Sequence, residues 1–134
     1  MTIYLCRSCL GVTRKAGVDL RSLVRRSVDH VAGLIPLAPA TATVDVRLGR
    51  FKFGHHTSAL GYAESDEAFV SVPRHGPALE TLEQWLPSVI AHELHHTSRE
   101  TKGPGNPWSF LDMVMMEGLA VSFEREAFPH LPGL

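Results

Sequence analysis

The sequence predicts a small α+β domain, with an N-terminal helix, a small and mostly antiparallel sheet, and two C-terminal helices. Apolar residues recur at three- and four-residue steps over residues 20–35, as is typical of a helix, and residues 108–123 are rich in apolar residues after a helix-start signal. Between these segments, over residues 43–73, apolar residues alternate with polar ones or stand in short runs, as in strands. A chain of 134 residues fits one domain, so we interpret residues 1–134 as a single unit.

The charge and the distribution of apolar residues argue against nucleic acids and membranes as partners. The formal net charge is −1, so the chain has no excess of Lys and Arg for binding nucleic acid or an anionic membrane surface. The first residues lack the basic start and sustained apolar segment of a secretory signal, and no stretch approaches the roughly 18 apolar residues of a membrane span. We therefore expect a soluble cytoplasmic protein without nucleic-acid or membrane partners.

The N-terminal helix and the strands have local signals. Asp19 is a suitable N-cap for the first helix, and Pro36 ends it. Strict alternation over 44–48 predicts a half-buried strand. Residues 59–63 and 68–72 predict two further strands, and the polar residues between them are typical of a hairpin turn.

Two helices are predicted after the sheet. Residues 77–85 look helical, and Pro87 suits the first turn of a further helix or marks a kink. Asn106 followed by Pro107 predicts the start of the last helix. Because this helix is apolar nearly all round as far as Glu124, we expect it in the interior of the domain.

The segment His-Glu-Leu-His-His at residues 92–96 contains candidate metal ligands and a candidate catalytic base. His92 and His96 are four residues apart, so on a helix they differ by about 40° and can share a metal ion. Glu93 lies about 100° from His92, close enough to reach a water on that metal without being a ligand. This is the arrangement that a general base requires.

A catalytic zinc ion normally has three protein ligands and an open position. Glu117 is the best candidate for the third ligand, because it interrupts an apolar helix in which a carboxylate is costly unless a cation pairs with it. Gly118 would allow the two helices and the metal to approach closely. The alternative is that Glu117 lies on an exposed edge or pairs with an arginine.

The motif His-Glu-Leu-His-His, followed by Met-Glu-Gly-Leu-Ala at residues 116–120, resembles the glutamate-ligand zincins, or gluzincins. It is most similar to a bacterial family of predicted zinc-dependent proteases. The resemblance implies a minimal zincin-like domain with one zinc ion per chain, held by His92, His96 and Glu117, and Glu93 as the catalytic base. It also implies a sheet whose edge strand aligns an extended substrate.

One position departs from the better-studied gluzincins. Val121 stands one turn after Glu117, where an acidic residue often orients a metal-bound histidine. That role therefore falls to another group, and Asp112, Glu124 or a backbone carbonyl are the alternatives.

The oxyanion formed during hydrolysis needs a donor opposite the metal. Tyr62 ranks first because it falls on a predicted strand, and His55, His56 and His75 are the other polar groups near the sheet. His95 is interpreted as a packing residue or as a partner of a ligand.

Two other groups have less specific interpretations. Cys6 and Cys9 form a C-x-x-C pair without a βαβ pattern around it, so we expect two reduced thiols near a terminus. Trp85, Trp108 and the methionine-rich run 113–116 are predicted to belong to the core.

The function predicted from these residues is hydrolysis of peptide bonds by a zinc-activated water, with a peptide or protein as substrate. One alternative is a zinc-binding interaction or regulatory module without catalysis, although a structural site needs no base such as Glu93. A second alternative is hydrolysis of another amide or an ester.

Overall fold

The computed structural model describes residues 1–35, 43–49, 61–64, 66–102 and 109–132. Helices and a small sheet are both present, which confirms the α+β class. In chain order the elements are β1 (Thr2–Leu5), α1 (Arg7–Lys15), α2 (Leu20–Leu34), β2 (Thr43–Leu48), β3 (Gly61–Glu64), β4 (Glu67–Val72), α3 (Pro77–Glu80), α4 (Leu82–Lys102) and α5 (Phe110–Ala127).

The sheet has the strand order β1-β2-β4-β3. β1 pairs with β2 in parallel, β2 pairs with β4 in parallel, and β3 pairs with β4 in the antiparallel direction. The predicted hairpin between β3 and β4 is therefore confirmed, but the prediction of a mostly antiparallel sheet is wrong. For β1 and β2 the physical reason is that α1 and α2 connect them, and such a crossover returns the chain in its starting direction. β2 and β4 are parallel neighbours because β3 lies on the outer side of β4 rather than between them.

The first strand and the first helix, β1 and α1, were missed from the sequence. β1 has only four residues, and the N-cap of α1 is Cys6, whose sulfur accepts the backbone N–H of Cys9 at 3.1 Å. Cysteine is not among the residue types that signal a helix start. Cys6 and Cys9 form a disulfide, so the expectation of two reduced thiols is wrong in this structure.

The second helix, α2, confirms its prediction. The Asp19 carboxylate accepts the backbone N–H of Ser22 at 3.1 Å, and the helix ends at Leu34. One face is buried in the core and includes Leu20, Leu23, Val24, Val28 and Val31. β2 and β4 also follow their predictions, whereas β3 is described only from Gly61 onwards.

The motif-bearing helix, α4, begins before Pro87 and continues through it. Pro87 lies near the start of α4, where its missing N–H removes one early helical hydrogen bond. Trp85 is only 8% exposed and its indole N–H donates to the carbonyl of Ala78 in α3 at 2.7 Å, so its assignment to the core is confirmed. α4 packs against α2, α5, β3 and β4, which makes it the central helix.

The last helix, α5, differs from its prediction in two ways. Its N-cap is Ser109 rather than Asn106. Asn106 and Trp108 lie outside the described residues. Its first half is not in the interior: large apolar side chains there are exposed to solvent, namely Phe110, Leu111, Met113, Val114 and Met115. Burial begins at Met116 and continues on one face through Ala120, Phe123, Glu124 and Ala127. Because apolar residues occur on all sides of α5, the sequence did not show which side packs against the rest of the domain.

The core lies between one face of the sheet and the helices. The inward side chains of the central strands include Val44, Val46, Val70 and Val72, which are all fully buried. Among the described helices, none combines the length and the apolar character that crossing a membrane requires.

Candidate metal centre

The two motif histidines project from one face of α4, one helical turn apart. Their side chains are largely buried, at 14% exposed for His92 and 12% for His96. The two Nε2 atoms lie 3.1 Å apart, and the rings are nearly perpendicular at 75°. The helix therefore directs two potential ligand atoms at one point, as the four-residue spacing predicts.

The carboxylate of Glu117 reaches this point from α5. Its Oε2 lies 3.1 Å from Nε2 of His92, and its Oε1 lies 3.0 Å from Nε2 of His96. The Glu117 side chain is 63% exposed, so the argument that it is buried in an apolar helix is wrong although its position agrees with a ligand role. Gly118 faces open space, so the expected close approach at this glycine is also wrong.

The separations among these atoms fit a zinc ion. Tetrahedral coordination with ligands at 2.0–2.1 Å places ligand atoms about 3.3 Å apart. The two Nε2 atoms lie 3.1 Å apart, and each lies 3.0–3.1 Å from a different carboxylate oxygen of Glu117. With one ligand atom taken from each residue, the three atoms lie within 4.8 Å of one another. Among the described residues, His92, His96 and Glu117 form the group that could hold a metal ion. The donor set of two imidazoles and one carboxylate matches catalytic zinc sites.

The protonation state of His96 suits metal binding. Burial lowers the pKa of His96 to about 4, an effect that the nearby Glu117 opposes and that His92 reinforces. Burial also lowers the pKa of His95, with a further contribution from Arg99. A neutral imidazole is the form that ligates a metal ion, so His96 needs no deprotonation at neutral pH.

Among the alternatives for orienting His92, Glu124 is the acidic residue that contacts its ring. It is only 2% exposed, and its Oε2 lies 3.2 Å from Nδ1 of His92. It stands seven residues after Glu117, two turns along the same face of α5. With Nδ1–H donating to Glu124, the lone pair of Nε2 points to the ligand position. Asp112, the other acidic alternative, instead caps α5 with Ser109.

The candidate base, Glu93, is 7% exposed and lies under the edge strand β3. A Cβ added at Gly61 would come within 2.7 Å of the Glu93 Cγ and 2.7 Å of the Val89 Cγ1. Only glycine therefore lets β3 pass this close to α4. Sequence reasoning missed Gly61, although a glycine inside a strand is a known signal of close backbone approach.

Tyr62 points to the face of β3 opposite to Gly61. Successive strand residues point to opposite faces, and Gly61 is the residue that faces Glu93. Tyr62 pairs with Phe69 across the hairpin and stacks on its ring with centroids 6.3 Å apart. His75 is exposed in the loop before α3, and His55 and His56 lie outside the described residues.

The remaining motif histidine, His95, points away from the ligands. Its ring stacks on Phe123 of α5, with centroids 5.3 Å apart. This contact agrees with the packing role proposed for His95 and helps to join α4 to α5.

Comparison with known proteins agrees with this geometry. A family model described as "Predicted Zn-dependent protease (DUF2268)" matches residues 50–132, a segment that contains the helical motif and Glu117. No curated protein and no solved structure matches the chain. Because the matched segment covers more than half of the 134 residues, the chain belongs to the DUF2268 family of predicted zinc-dependent proteases.

Proposed function

We propose that this protein is a zinc-dependent peptidase in which His92, His96 and Glu117 hold one metal ion and Glu93 is the general base. The observation that carries the proposal is the convergence of His92, His96 and Glu117, whose ligand atoms, one from each residue, lie within 4.8 Å of one another. The adjacent Glu93 is buried. When bound, zinc supplies Lewis-acid activation of a water molecule and of a carbonyl group. Glu93 takes the proton from the attacking water and passes it to the leaving amine.

The edge strand supports a peptide as the substrate. β3 is the last strand in the order β1-β2-β4-β3, and within the described residues no strand pairs with its outer edge. An extended peptide can add to such an edge through backbone hydrogen bonds. Because Gly61 lies against Glu93, a peptide paired along β3 would run past the base.

The decisive experiment separates the base from the ligands. Glu93→Gln keeps the shape of the side chain but removes the proton acceptor, so hydrolysis should fall by about 10² or more while about one zinc ion per chain is retained. Glu83→Gln is the matched control, because it makes the same change at an exposed position of the same helix. Zinc content and cleavage of a mixed peptide library are measured on the same preparations.

The outcomes distinguish the alternatives. A parent protein that neither retains nor takes up zinc refutes the metal site. Unchanged cleavage by Glu93→Gln excludes Glu93 as the base. A parent that holds zinc tightly but cleaves no peptide across the library favours the zinc-binding interaction module instead.

A further inference from the structure

A second cluster of reactive side chains lies at the opposite edge of the sheet from β3. Cys6 and Cys9 stand where β1 ends and α1 begins, and they form a disulfide. The sequence pattern alone gave no βαβ unit around this pair, but the structure provides one. β1 and β2 are parallel neighbours, with Leu5 beside Val46, and α1 and α2 make the crossover between them. A C-x-x-C pair in this setting is typical of redox-active cysteines.

The two cysteines differ in accessibility. Cys9 is fully buried in the core, whereas Cys6 is partly exposed. The hydroxyl of Thr13 donates to the carbonyl of Cys9 at 2.8 Å, and the N–H of Cys6 donates to the carbonyl of Val46 at 3.2 Å. The backbone on both sides of the disulfide is therefore held in place, and an incoming thiol has access to Cys6 rather than Cys9.

The local charges favour a thiolate at Cys6. Its sulfur is the N-cap of α1 and accepts the N–H of Cys9, so the positive end of the helix dipole lies on it. The first turn of α1 contains no acidic residue, and Arg7 follows directly. A helix N-terminus and a neighbouring cation both stabilise a thiolate, which makes Cys6 the better nucleophile and the better leaving group.

We propose that Cys6 and Cys9 form a redox-active disulfide that exchanges with dithiols. A thiolate of the dithiol attacks the Cys6 sulfur, forming a mixed disulfide and releasing Cys9, which takes a proton. The second thiol of the dithiol then attacks the dithiol sulfur that is bonded to Cys6. This step releases Cys6 as a thiolate and closes a disulfide within the oxidised dithiol. Two electrons pass from the dithiol to the protein. The reverse sequence reoxidises the protein at the expense of a disulfide.

This activity goes beyond the proposed peptidase function and does not depend on it. The reacting residues precede the segment 50–132 that the protease family model matches. Loss of peptidase activity and loss of dithiol exchange can therefore be measured separately on the same full-length chain.

The first test is reversible exchange in the native protein. The oxidised chain is treated with reduced dithiothreitol and then with oxidised dithiothreitol, and thiols are counted by mass spectrometry after alkylation. We expect two thiols to appear and disappear together while the circular dichroism stays unchanged. Reduction that occurs only after unfolding in guanidinium, or a reduced chain that oxidised dithiothreitol leaves reduced, would overturn the proposal.

The second test is the asymmetry between the cysteines. In the reduced protein, iodoacetamide should modify Cys6 at least about tenfold faster than Cys9. Cys9→Ser should accumulate a glutathione mixed disulfide on Cys6, because the resolving thiol is missing, whereas Cys6→Ser should form little on Cys9. Cys9→Ala serves if serine at this buried position prevents folding. Equal alkylation rates of the two cysteines in the parent would refute the assigned roles.

Two charge reversals on α1 test whether the helix N-terminus activates Cys6. Arg7→Glu and Lys15→Glu make the same charge change at opposite ends of α1. Arg7→Glu should slow alkylation of Cys6 at pH 7 by about threefold or more, because a negative charge at the helix N-terminus opposes the thiolate. Lys15→Glu should have little effect. Equal rates in these two variants would show that the helix N-terminus does not activate Cys6.

Discussion

The two helices that build the candidate metal centre differ in how they are held. α4 is the central helix and packs on α2, α5, β3 and β4, and its side chains from Trp85 to Ala91 are all buried. α5 is attached mainly through its second half, while its first half presents large apolar side chains to solvent. The ligands reflect this difference: His92 and His96 are 14% and 12% exposed, and Glu117 is 63% exposed.

This difference shows that the fold fixes the ligands unequally. The histidines are positioned by a helix whose packing forms the core, and Glu124 further fixes the ring of His92. Glu117 lies at the boundary between the exposed and the buried half of α5, so the core constrains it less. We expect the metal ion to contribute more to the order of α5 than to that of α4.

The largest expected effect comes from removing ligands. His96→Ala and Glu117→Ala should each weaken zinc binding by about a hundredfold or more, because each leaves only two protein ligands. Without metal the two variants should diverge. His96→Ala should lower the free energy of unfolding by about 1–3 kcal/mol, since it empties a largely buried position, and Glu117→Ala should change it by less than about 0.5 kcal/mol.

Zinc titration and thermal unfolding of both variants, with and without zinc, check this prediction. Zinc at about a hundredfold excess over its Kd should stabilise the parent by about 2.7 kcal/mol and each variant much less. Equal destabilisation of the two metal-free variants would contradict the conclusion that the core constrains His96 more than Glu117.

The next effect concerns the contact that links α5 to a ligand of α4. Glu124→Gln keeps the volume but removes the negative charge that holds the Nδ1–H of His92. Zinc affinity should fall by about tenfold to a hundredfold, the range typical of such partners of ligand histidines. Glu126→Gln, an exposed position two residues further along α5, is the control and should leave the affinity unchanged. Competition with a chelator measures both, and equal affinities in the two variants would contradict a positioning role for Glu124.

Much of the fold was readable from local signals. The Asp19 cap, the apolar face of α2 and the alternation in β2 are all local features of the sequence, and each predicted its element. Strand direction was not readable, because one parallel pair involves the short β1 and follows α1, whose Cys6 cap lacks the usual signal. The other depends on the position of β3 outside β4, which is a tertiary property. The exposure of the first half of α5 was not readable either, since an apolar helix gives no sign of which face its neighbours leave uncovered.

The residues of the candidate site also divide into those that the sequence predicts and those that it does not. The four-residue spacing of His92 and His96 fixes their geometry on any helix, and the structure brings their Nε2 atoms to 3.1 Å from each other. Glu117 was chosen for a reason that its exposure contradicts, yet the tertiary fold brings it to the histidines. Glu124 was one of three alternatives, and the choice among them depends on how α5 meets α4. The role of Gly61 depends on how closely β3 approaches α4.

Two glycines give a matched test of how closely each element approaches its neighbours. Gly61→Ala places a methyl group within 2.7 Å of Glu93 and Val89, so we expect a loss of about 1–3 kcal/mol and a displaced β3. Gly118→Ala meets open space on a helix and should stabilise the protein by about 0.5–1 kcal/mol. Urea unfolding of both variants measures the difference. Destabilisation by Gly118→Ala would show that α5 is packed where the structure leaves it open.

The smallest effect concerns the exposed start of α5, where packing contributes little and a local cap matters most. Ser109 and Asp112 form a capping box: the Ser109 Oγ accepts the N–H of Asp112 at 3.1 Å, and the Asp112 carboxylate accepts the N–H of Ser109 at 2.9 Å. The backbone and side-chain hydrogen bonds from Ser109 lower the pKa of Asp112 from 3.8. Because the folded pKa lies below the unfolded one, this contribution is complete above pH 3.8 and is lost as the pH falls through the folded value. Ser109→Ala should therefore cost about 1 kcal/mol at pH 7 and less at pH 3. Urea unfolding at both pH values measures this, and an equal cost at each pH would show that the ionised carboxylate of Asp112 does not contribute to the cap.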